Sequence, residues 1–171
     1  MSETALNSVD GAALRQAMGQ FLTGITIVTC RKPSGDIYGM TVNSFNSVSL
    51  DPALVLWSLD NDSSHHDDFQ NGFAVNILHA DQHDLCMQFA RSDESKRFEN
   101  VAYSTGALGH PILTGSLVSF ECRPWAVYPG GDHQIYVGEV VKLYNGSVTL
   151  SPDALSFFKG KIGQFRQNEA S

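Results

Sequence analysis

The chain has 171 residues, of which 42% are hydrophobic and 17% are charged, and its formal net charge at pH 7 is −7. This length predicts one domain that can bury a core without a metal or disulfide bonds. The eleven lysine and arginine residues are scattered along an acidic chain, which argues against binding to nucleic acid or to an anionic membrane. The charged fraction is below the usual value of about 25%, and this favours burial of part of the surface against a second subunit.

The cysteines and the N-terminal segment indicate the cellular compartment in which we expect the protein. Cys30, Cys86 and Cys122 are odd in number and have no CxxC spacing, which is typical of reduced thiols that act as small buried hydrophobes in a cytosolic protein. The N-terminal segment lacks the basic and apolar regions of a secretory signal, and the longest apolar run, residues 53–57, is too short to span a bilayer. We therefore expect a cytoplasmic protein. Its predicted parts are a flexible N-terminus (1–9), a single domain (10–166) and a C-terminal tail (167–171).

The first predicted element is a helix that begins after Asp10, a typical N-cap residue, and ends at Thr23–Gly24. Its apolar residues recur at helical spacing: Leu14, Met18, Phe21 and Leu22. A β-branched strand (25–30) follows, and residues 32–36, with Pro and Gly, predict a hairpin turn. The chain returns as an extended stretch (37–50) that is broken at Asp51–Pro52. Residues 53–59 are apolar enough to predict a strand that is buried on both faces.

The second half of the chain continues this β-rich pattern. We predict a polar loop (60–68), a strand with alternating Phe73, Val75 and Ile77, a helix (80–91), and then charged and turn-rich loops (92–100 and 106–115). In residues 117–122 Leu117, Ser119 and Glu121 alternate with Val118, Phe120 and Cys122, as in a half-exposed strand. Another strand follows Gly130–Gly131, with Ile135, Val137 and Val140 facing a core. A hairpin around Asn145–Gly146 and a short capped helix or turn (151–165) complete the chain.

About seven short strands separated by turn signals, with two or three helices and no regular βαβ alternation, predict an antiparallel β-barrel or sandwich. The chain has none of the motifs GxGxxG, GxxxxGK[ST] or GxSxG, so a dinucleotide would bind without a Rossmann fingerprint.

Two polar features are candidates for a site. His79 and His83 are four residues apart on the predicted second helix, and a zinc site could draw further ligands from His65-His66-Asp67-Asp68; the simpler alternative is a pair of exposed helix histidines. The second feature is the stretch 39–52, in which short hydroxyl and amide side chains are dense. Such groups cost free energy when they are buried without partners, so they either face water or bind a polar ring or a phosphate.

These features lie in an ordered series of segments that resembles the flavin reductase-like family, and in particular its short-chain NAD(P)H:flavin oxidoreductases of two-component flavin-dependent monooxygenases. The segments span nearly the whole chain. They are LRQAMGQFLTGITIVT (14–29), GMTVNSFNSVSLDPALVLWSL (39–59), FAVNIL (73–78), FA (89–90), RF (97–98) and GDHQIYVGEV (131–140). The resemblance implies an FMN-binding split barrel, mainly β, and a homodimer with flavin held near the subunit interface.

The resemblance also implies the site residues. His133, in the GDH motif that the family uses for nicotinamide, is the candidate catalytic residue, and Arg97 would neutralise a phosphate. His65 stands where the family often has Thr or Ser, and Ile162 stands where it often has an aromatic residue. No metal is implied. The cofactor-binding candidates, besides His133, are Thr41, Val42, Asn43, Ser44, Ser47, Ser49, Ser58, Leu59, Asn61, Ser63, Phe89, Ala90, Arg97, Phe158 and Gly160.

The expected reaction is hydride transfer from NADH or NADPH to FMN or FAD, which requires positioning of the two rings rather than a nucleophile or a metal. His133 would orient the nicotinamide or steady charge on the reduced flavin, and the neighbouring Asp132 would orient His133 or cap the turn. Reduced flavin would pass to an oxygenase partner. Two alternatives stay open at this stage: a flavin-binding electron carrier that does not use NAD(P)H, and a barrel that binds another ligand or only a partner protein.

Overall fold

The computed structural model describes residues 9–146 and 153–166. The expected flexible N-terminus up to residue 8, the tail 167–171 and the returning arm of the hairpin after Gly146 therefore lie outside the described residues. No helix in the described ranges is both long enough and apolar enough to cross a membrane.

The described chain is mainly β, as predicted. Its two α-helices are α1 (Gly11–Met18) and α2 (His83–Arg91), and short 3-10 helices cover Asp67–Phe69, Ala80–Gln82 and Glu94–Lys96. The strands are β1 (Thr23–Gly24), β2 (Thr26–Arg31), β3 (Ile37–Val42), β4 (Asn46–Leu50), β5 (Ala53–Asp60), β6 (Phe73–Ile77), β7 (Tyr103–Thr105), β8 (Pro111–Leu113), β9 (Val118–Gly130), β10 (His133–Asn145), β11 (Ala154–Phe158) and β12 (Lys161–Phe165).

Seven of these strands form one antiparallel sheet in the order β3-β2-β6-β9-β10-β5-β4. A second sheet has the order β1-β11-β12, and β7 pairs with β8. The expected number of about seven strands is too low, because β1, β7 and β8 have only two or three residues each and carry no alternation that a sequence pattern could reveal. The seven-stranded sheet stays open, with β3 and β4 as its two edges.

The core around Trp57 draws buried residues from β2, β3, β5, β6, β9 and β10, and a second buried cluster packs α2 against β2 and β11. Val55, Trp57 and Leu59 are buried, whereas Leu56 and Ser58 on the opposite face of β5 are only half-buried. The prediction that this strand is buried on both faces is therefore wrong for its second half. On β10 it is Tyr136, not Ile135, that stacks on Trp57, with ring centroids 5.0 Å apart.

The first helix is shorter than predicted. Asp10 is its N-cap, since the Asp10 side chain accepts a hydrogen bond from the Ala13 N–H at 2.7 Å. The helix ends at Met18, before Gly19, because glycine favours termination and because Thr23–Gly24 pairs instead with β11. As a result Phe21 lies beyond the helix. None of the residues of α1 is buried in the described chain.

The C-terminal segment is a β-hairpin, so the prediction of a capped helix or turn there is wrong. Strands β11 and β12 are joined by Lys159 and Gly160, whose φ values of 50° and 75° are those of a tight hairpin turn. On its other side β11 pairs with β1, more than 130 residues away in the chain. A contact between segments so far apart in the chain cannot be predicted from a local sequence pattern.

Strand β9 also differs from its prediction, because Ser119 and Glu121 are buried instead of exposed. The Glu121 carboxylate accepts hydrogen bonds from the N–H groups of Ala107 and Leu108, each at 2.8 Å, and from the Tyr144 hydroxyl at 2.6 Å. A buried carboxylate is tolerated only with such partners, and here they fasten the loop before β8 to the sheet.

The same loop contains a buried histidine that should make stability depend on pH. Burial lowers the pKa of His110, whose Nδ1 accepts a hydrogen bond from the Arg31 N–H at 3.2 Å. The folded protein holds the neutral ring, whereas the unfolded chain takes up a proton below about pH 6.5. The free energy of unfolding should therefore fall as the pH is lowered from about 7 to about 5.

Urea unfolding at a series of pH values measures this effect. His110→Asn keeps an oxygen acceptor near the Arg31 N–H but does not titrate, so its free energy of unfolding should fall less steeply. His83→Asn, at an exposed histidine of α2, is the matched control and should keep the wild-type slope. Equal slopes for wild type and His110→Asn would contradict the prediction.

Candidate active site

The candidate site lies where the chain crosses from one edge of the large sheet to the other. Val42 ends β3 and Asn46 begins β4, so only residues 43–45 connect the two edge strands. In a flat sheet seven strands would separate the edges by about 29 Å, but four Cα steps span at most about 14 Å. The sheet must therefore curl until its edges nearly meet, and residues 43–45 lie at this seam.

Ser44 fastens the seam to β5. Its hydroxyl accepts a hydrogen bond from the Ser58 N–H at 2.9 Å and donates one to the Ser58 carbonyl oxygen at 3.3 Å. The other predicted hydroxyls have different surroundings. Thr41 donates to the Cys86 carbonyl oxygen in α2 at 2.7 Å, and Asn43 and Ser47 are exposed at the surface of the described chain.

A cavity of about 520 Å³ opens beside the seam. Asn43, Ser44 and Phe45 form one wall, and the other walls come from α1, the segment after it and the β11–β12 hairpin. The remaining lining residues are Arg15, Met18, Gly19, Phe21, Thr23, Asn46, Phe157 and Gly160. Three of the predicted site residues, Asn43, Ser44 and Gly160, are thus brought together.

The chemistry of the cavity fits a planar heteroaromatic ring such as that of a flavin. Met18, Phe45 and Phe157 supply apolar walls, and the seam supplies an amide and a hydroxyl. In addition, the Thr23 hydroxyl oxygen is buried without a hydrogen-bond partner in the described chain. A buried hydroxyl without a partner costs free energy, and this one lies in the wall beneath the cavity surface.

His133 lies on the same end of the sheet as the seam. Strands β10 and β5 pair so that His133 is opposite Asp60 and Ile135 is opposite Ser58. Ser58 in turn bonds to Ser44. Two strand spacings and a two-residue offset place His133 about 12 Å from Ser44 along the sheet.

The turn that carries His133 is held by two neighbours. Asp132 Oδ1 lies 2.8 Å from His133 Nδ1, and this hydrogen bond lowers the pKa of Asp132. Asn61 donates from its N–H to the Asp132 carbonyl oxygen and from its side chain to the Gly131 carbonyl oxygen, each at 2.9 Å. Gln134 donates to the Asn61 side-chain oxygen at 3.2 Å. Asn61, a predicted cofactor-binding residue, thus positions the histidine turn in this structure.

The polar loop after β5 is held by contacts within the loop and by contacts to Tyr38 and Lys32. His65 stacks on Tyr38 with ring centroids 3.8 Å apart, and its Nδ1 lies 2.8 Å from Asp68. Lys32 contacts Asp68 at 3.4 Å and also pairs with Glu94. Within the loop Ser63 accepts a hydrogen bond from the His65 N–H at 3.3 Å. The His65–Asp68 segment therefore stabilises the loop instead of facing the seam.

The predicted residues around α2 lie behind β3. Phe89 is buried, and a Cβ on Gly39 would lie only 2.7 Å from its ring, so Gly39 is needed for this close packing. The Arg97 guanidinium donates to the Tyr38 hydroxyl and to the Gly39 carbonyl oxygen, each at 2.9 Å. Ala90 is exposed on the helix, and Phe158, at the hairpin, is 40% exposed.

The alternative of a zinc site is not supported. His79 is a buried cap residue whose Nδ1 accepts from the Asp81 N–H at 3.1 Å, whereas His83 is exposed. Across residues 9–146 and 153–166 no group of three or more His, Cys, Asp or Glu side chains is placed to hold a metal ion. All three cysteines are free and buried, as predicted.

Comparison with known proteins agrees with this geometry. The family described as "Flavin reductase like domain" matches residues 18–166. The FMN reductase (NADH) SmoA of Agrobacterium fabrum is 43% identical over 155 residues, which are 90% of this chain and 85% of that protein. The reductase subunit HsaB of a flavin-dependent monooxygenase from Rhodococcus jostii is 34% identical over 92% of this chain and 79% of its own.

A solved structure shows the same fold. The NADH:FAD oxidoreductase SgcE6 of Streptomyces globisporus, in complex with NAD and FAD fragments, superposes with a TM-score of 0.84 at 33% identity. The superposition covers 94% of this chain and 96% of that one. The expected split-barrel architecture is thereby confirmed.

Substitution of Ser44 tests whether its two hydrogen bonds to Ser58 hold the seam to β5. Ser44→Ala leaves the Ser58 N–H without its acceptor, so the free energy of unfolding should fall by about 1–2 kcal/mol and the Ser58 amide should exchange its hydrogen faster. Ser47→Ala removes the same atoms from an exposed position and should change stability by less than about 0.5 kcal/mol. Urea unfolding and hydrogen exchange measure both. Equal effects of the two substitutions would show that Ser44 does not hold the seam.

Proposed function

The chain belongs to the flavin reductase-like domain family, and from this premise we propose that it is an NAD(P)H:flavin oxidoreductase, which reduces FMN or FAD by hydride transfer. The observation that carries the proposal is the cavity at the seam, where Asn43 and Ser44 lie beside apolar walls. Such a slot holds a flat ring and presents hydrogen-bonding groups to its polar edge. When bound there, the flavin supplies the hydride-accepting centre.

The residues of the chain would act mainly by placing the two rings against each other. Met18, Phe45 and Phe157 exclude water from the slot, and the Asn43 amide can both donate and accept a hydrogen bond. Ser44 has its hydroxyl engaged by Ser58, so it contributes by fixing the wall. We propose that the remaining predicted residues contact the rest of the flavin. They are Thr41, Val42, Ser47, Ser49, Ser58, Leu59, Asn61, Ser63, Phe89, Ala90, Arg97 and Phe158.

His133 would serve the nicotinamide side. Because the pKa of Asp132 is lowered by the hydrogen bond, its carboxylate is an acceptor, and His133 Nδ1 must donate to it. With Nδ1 donating to Asp132, Nε2 is the ring nitrogen left to bind a polar group of the nicotinamide, such as its carboxamide.

The reduced flavin would be handed to an oxygenase component, so the flavin would act as a cosubstrate. The resemblance to a monooxygenase reductase subunit supports this part of the proposal. A homodimer is supported by apolar residues that the described chain leaves uncovered next to the site: Leu14 is 53% exposed, Met18 59% and Phe21 65%. A second copy that covers this side of α1 would place the seam cavity near the interface.

Oxidation of NADH or NADPH, followed at 340 nm with and without FMN, FAD or riboflavin, tests the proposed activity. We expect oxidation that depends on added flavin. Flavin that stays bound through purification without any oxidation of NAD(P)H would favour the electron carrier instead, and no response to any flavin would exclude both.

His133→Ala tests the role of the histidine turn. The substitution should raise the KM for NAD(P)H or slow flavin reduction by about tenfold, as expected for one lost charged or polar contact, and should leave flavin affinity near the wild-type value. His83→Ala, at an exposed histidine on α2, is the control. Steady-state kinetics equal to those of the control would remove His133 from the site.

A further inference from the structure

A second, more open depression adjoins the seam cavity, on the other side of the end of α1. It is lined by residues of α1 and the segment after it, and by the turn between β11 and β12. Arg15, Gly19 and Gly160 border both spaces, and Lys159 completes the rim of the second one. We call this depression, with Arg15, Gln16, Gln20 and Lys159 at its edge, the cationic notch.

The notch concentrates positive charge on a chain whose net charge is −7. None of its lining residues is acidic. Among the described residues neither Arg15 nor Lys159 has a carboxylate within ion-pair distance, and the recorded contact of Lys159 Nζ is with the Phe158 ring, 5.3 Å from its centroid. By contrast Lys32, Arg123 and Arg166 are all paired with carboxylates.

The backbone fixes the two cations relative to each other. The Lys159 N–H donates to the Gly19 carbonyl oxygen at 2.9 Å, which ties the hairpin turn to the end of α1. Lys159 itself has a φ of 50°, a left-handed conformation that the tight turn imposes. The backbone positions from which both side chains extend are therefore set by the fold.

The loop after β5 offers much less to an anion. It carries Asp60, Asp62, Asp67 and Asp68, and the nearby Lys32 is already neutralised by Asp68 and Glu94. Arg97 is engaged by the Tyr38 hydroxyl and a backbone carbonyl. In the described chain, Arg15 has no acidic partner and borders both spaces, and Lys159, which also has none, borders the notch.

We propose that the cationic notch is a subsite for a phosphate or diphosphate group of the nucleotide whose ring occupies the seam cavity. Arg15 borders both the seam cavity and the cationic notch, so one ligand with a flat ring and an anionic tail can reach both. Arg15 presents a planar donor array that matches phosphate oxygens, and Lys159 adds a point charge. The inference rests on the proposed function for the ring, but either the flavin or the nicotinamide dinucleotide could supply the phosphate.

Equilibrium binding, which does not require turnover, tests the notch. The variants are Arg15→Gln and Lys159→Asn, the latter because asparagine tolerates a positive φ. Dissociation constants for FMN, FAD and riboflavin come from fluorescence quenching, and those for NAD+ from titration calorimetry, at low salt. Lys142→Gln, at an exposed cation on β10, is the control. Arg15→Lys keeps the charge and should retain most of the affinity.

We expect each neutral variant to weaken at least one phosphate-bearing ligand by about tenfold and to leave riboflavin, which has no phosphate, unchanged. Weaker FMN and FAD with unchanged NAD+ assigns the notch to the flavin, and the reverse assigns it to the nicotinamide dinucleotide. Unchanged binding of all phosphate-bearing ligands, or an equal loss for riboflavin and FMN, overturns the proposal. If wild-type protein fails to oxidise NAD(P)H with flavin, the proposed function fails instead, whatever the variants bind.

Discussion

The three-residue crossing from β3 to β4 is the constraint on which the rest of the structure depends. Two strands that are consecutive in the chain stand at opposite edges of a seven-stranded sheet, and residues 43–45 are too short to connect them unless the sheet is curled. The curl encloses Trp57 and its neighbours as a core and leaves one seam where the ladder of backbone hydrogen bonds is missing. Ser44 continues the pairing of β4 with β5 through its two bonds to Ser58 and so holds the crossing segment to the sheet.

The seam explains why the polar residues of the site lie together. A backbone that leaves the ladder has free hydrogen-bonding groups, and small polar side chains such as Asn43 and Ser44 suit that position. The end of α1 and the β11–β12 turn flank it, and the bond from the Lys159 N–H to the Gly19 carbonyl oxygen joins these two flanks. The pairing of β10 with β5 then brings His133 to the same end of the sheet. The seam cavity, the cationic notch and the turn that carries His133 thus all depend on a few backbone contacts.

Much of this arrangement could be predicted from the sequence, and the failures have physical causes. The β-branched run of β2, the alternating residues of β6 and the N-cap at Asp10 are local patterns, and the predictions based on them are correct. The predictions for the end of α1 and for the segment around Lys159–Gly160 are wrong, because both depend on β1 pairing with a segment more than 130 residues away. Glu121 was expected to be exposed, since its partners are N–H groups of a distant loop that no pattern shows. Asn43 and Ser44 were found through a family resemblance, whereas Arg15, Thr23 and Gln134 became candidates only when the register of the sheets was known.

Binding of a flavin ring at the seam can be observed in a crystal of the protein soaked with FMN. We expect electron density for the ring in the cavity between Asn43, Ser44 and Phe157. Density for the ring elsewhere on the protein, with this cavity holding only water, would contradict it.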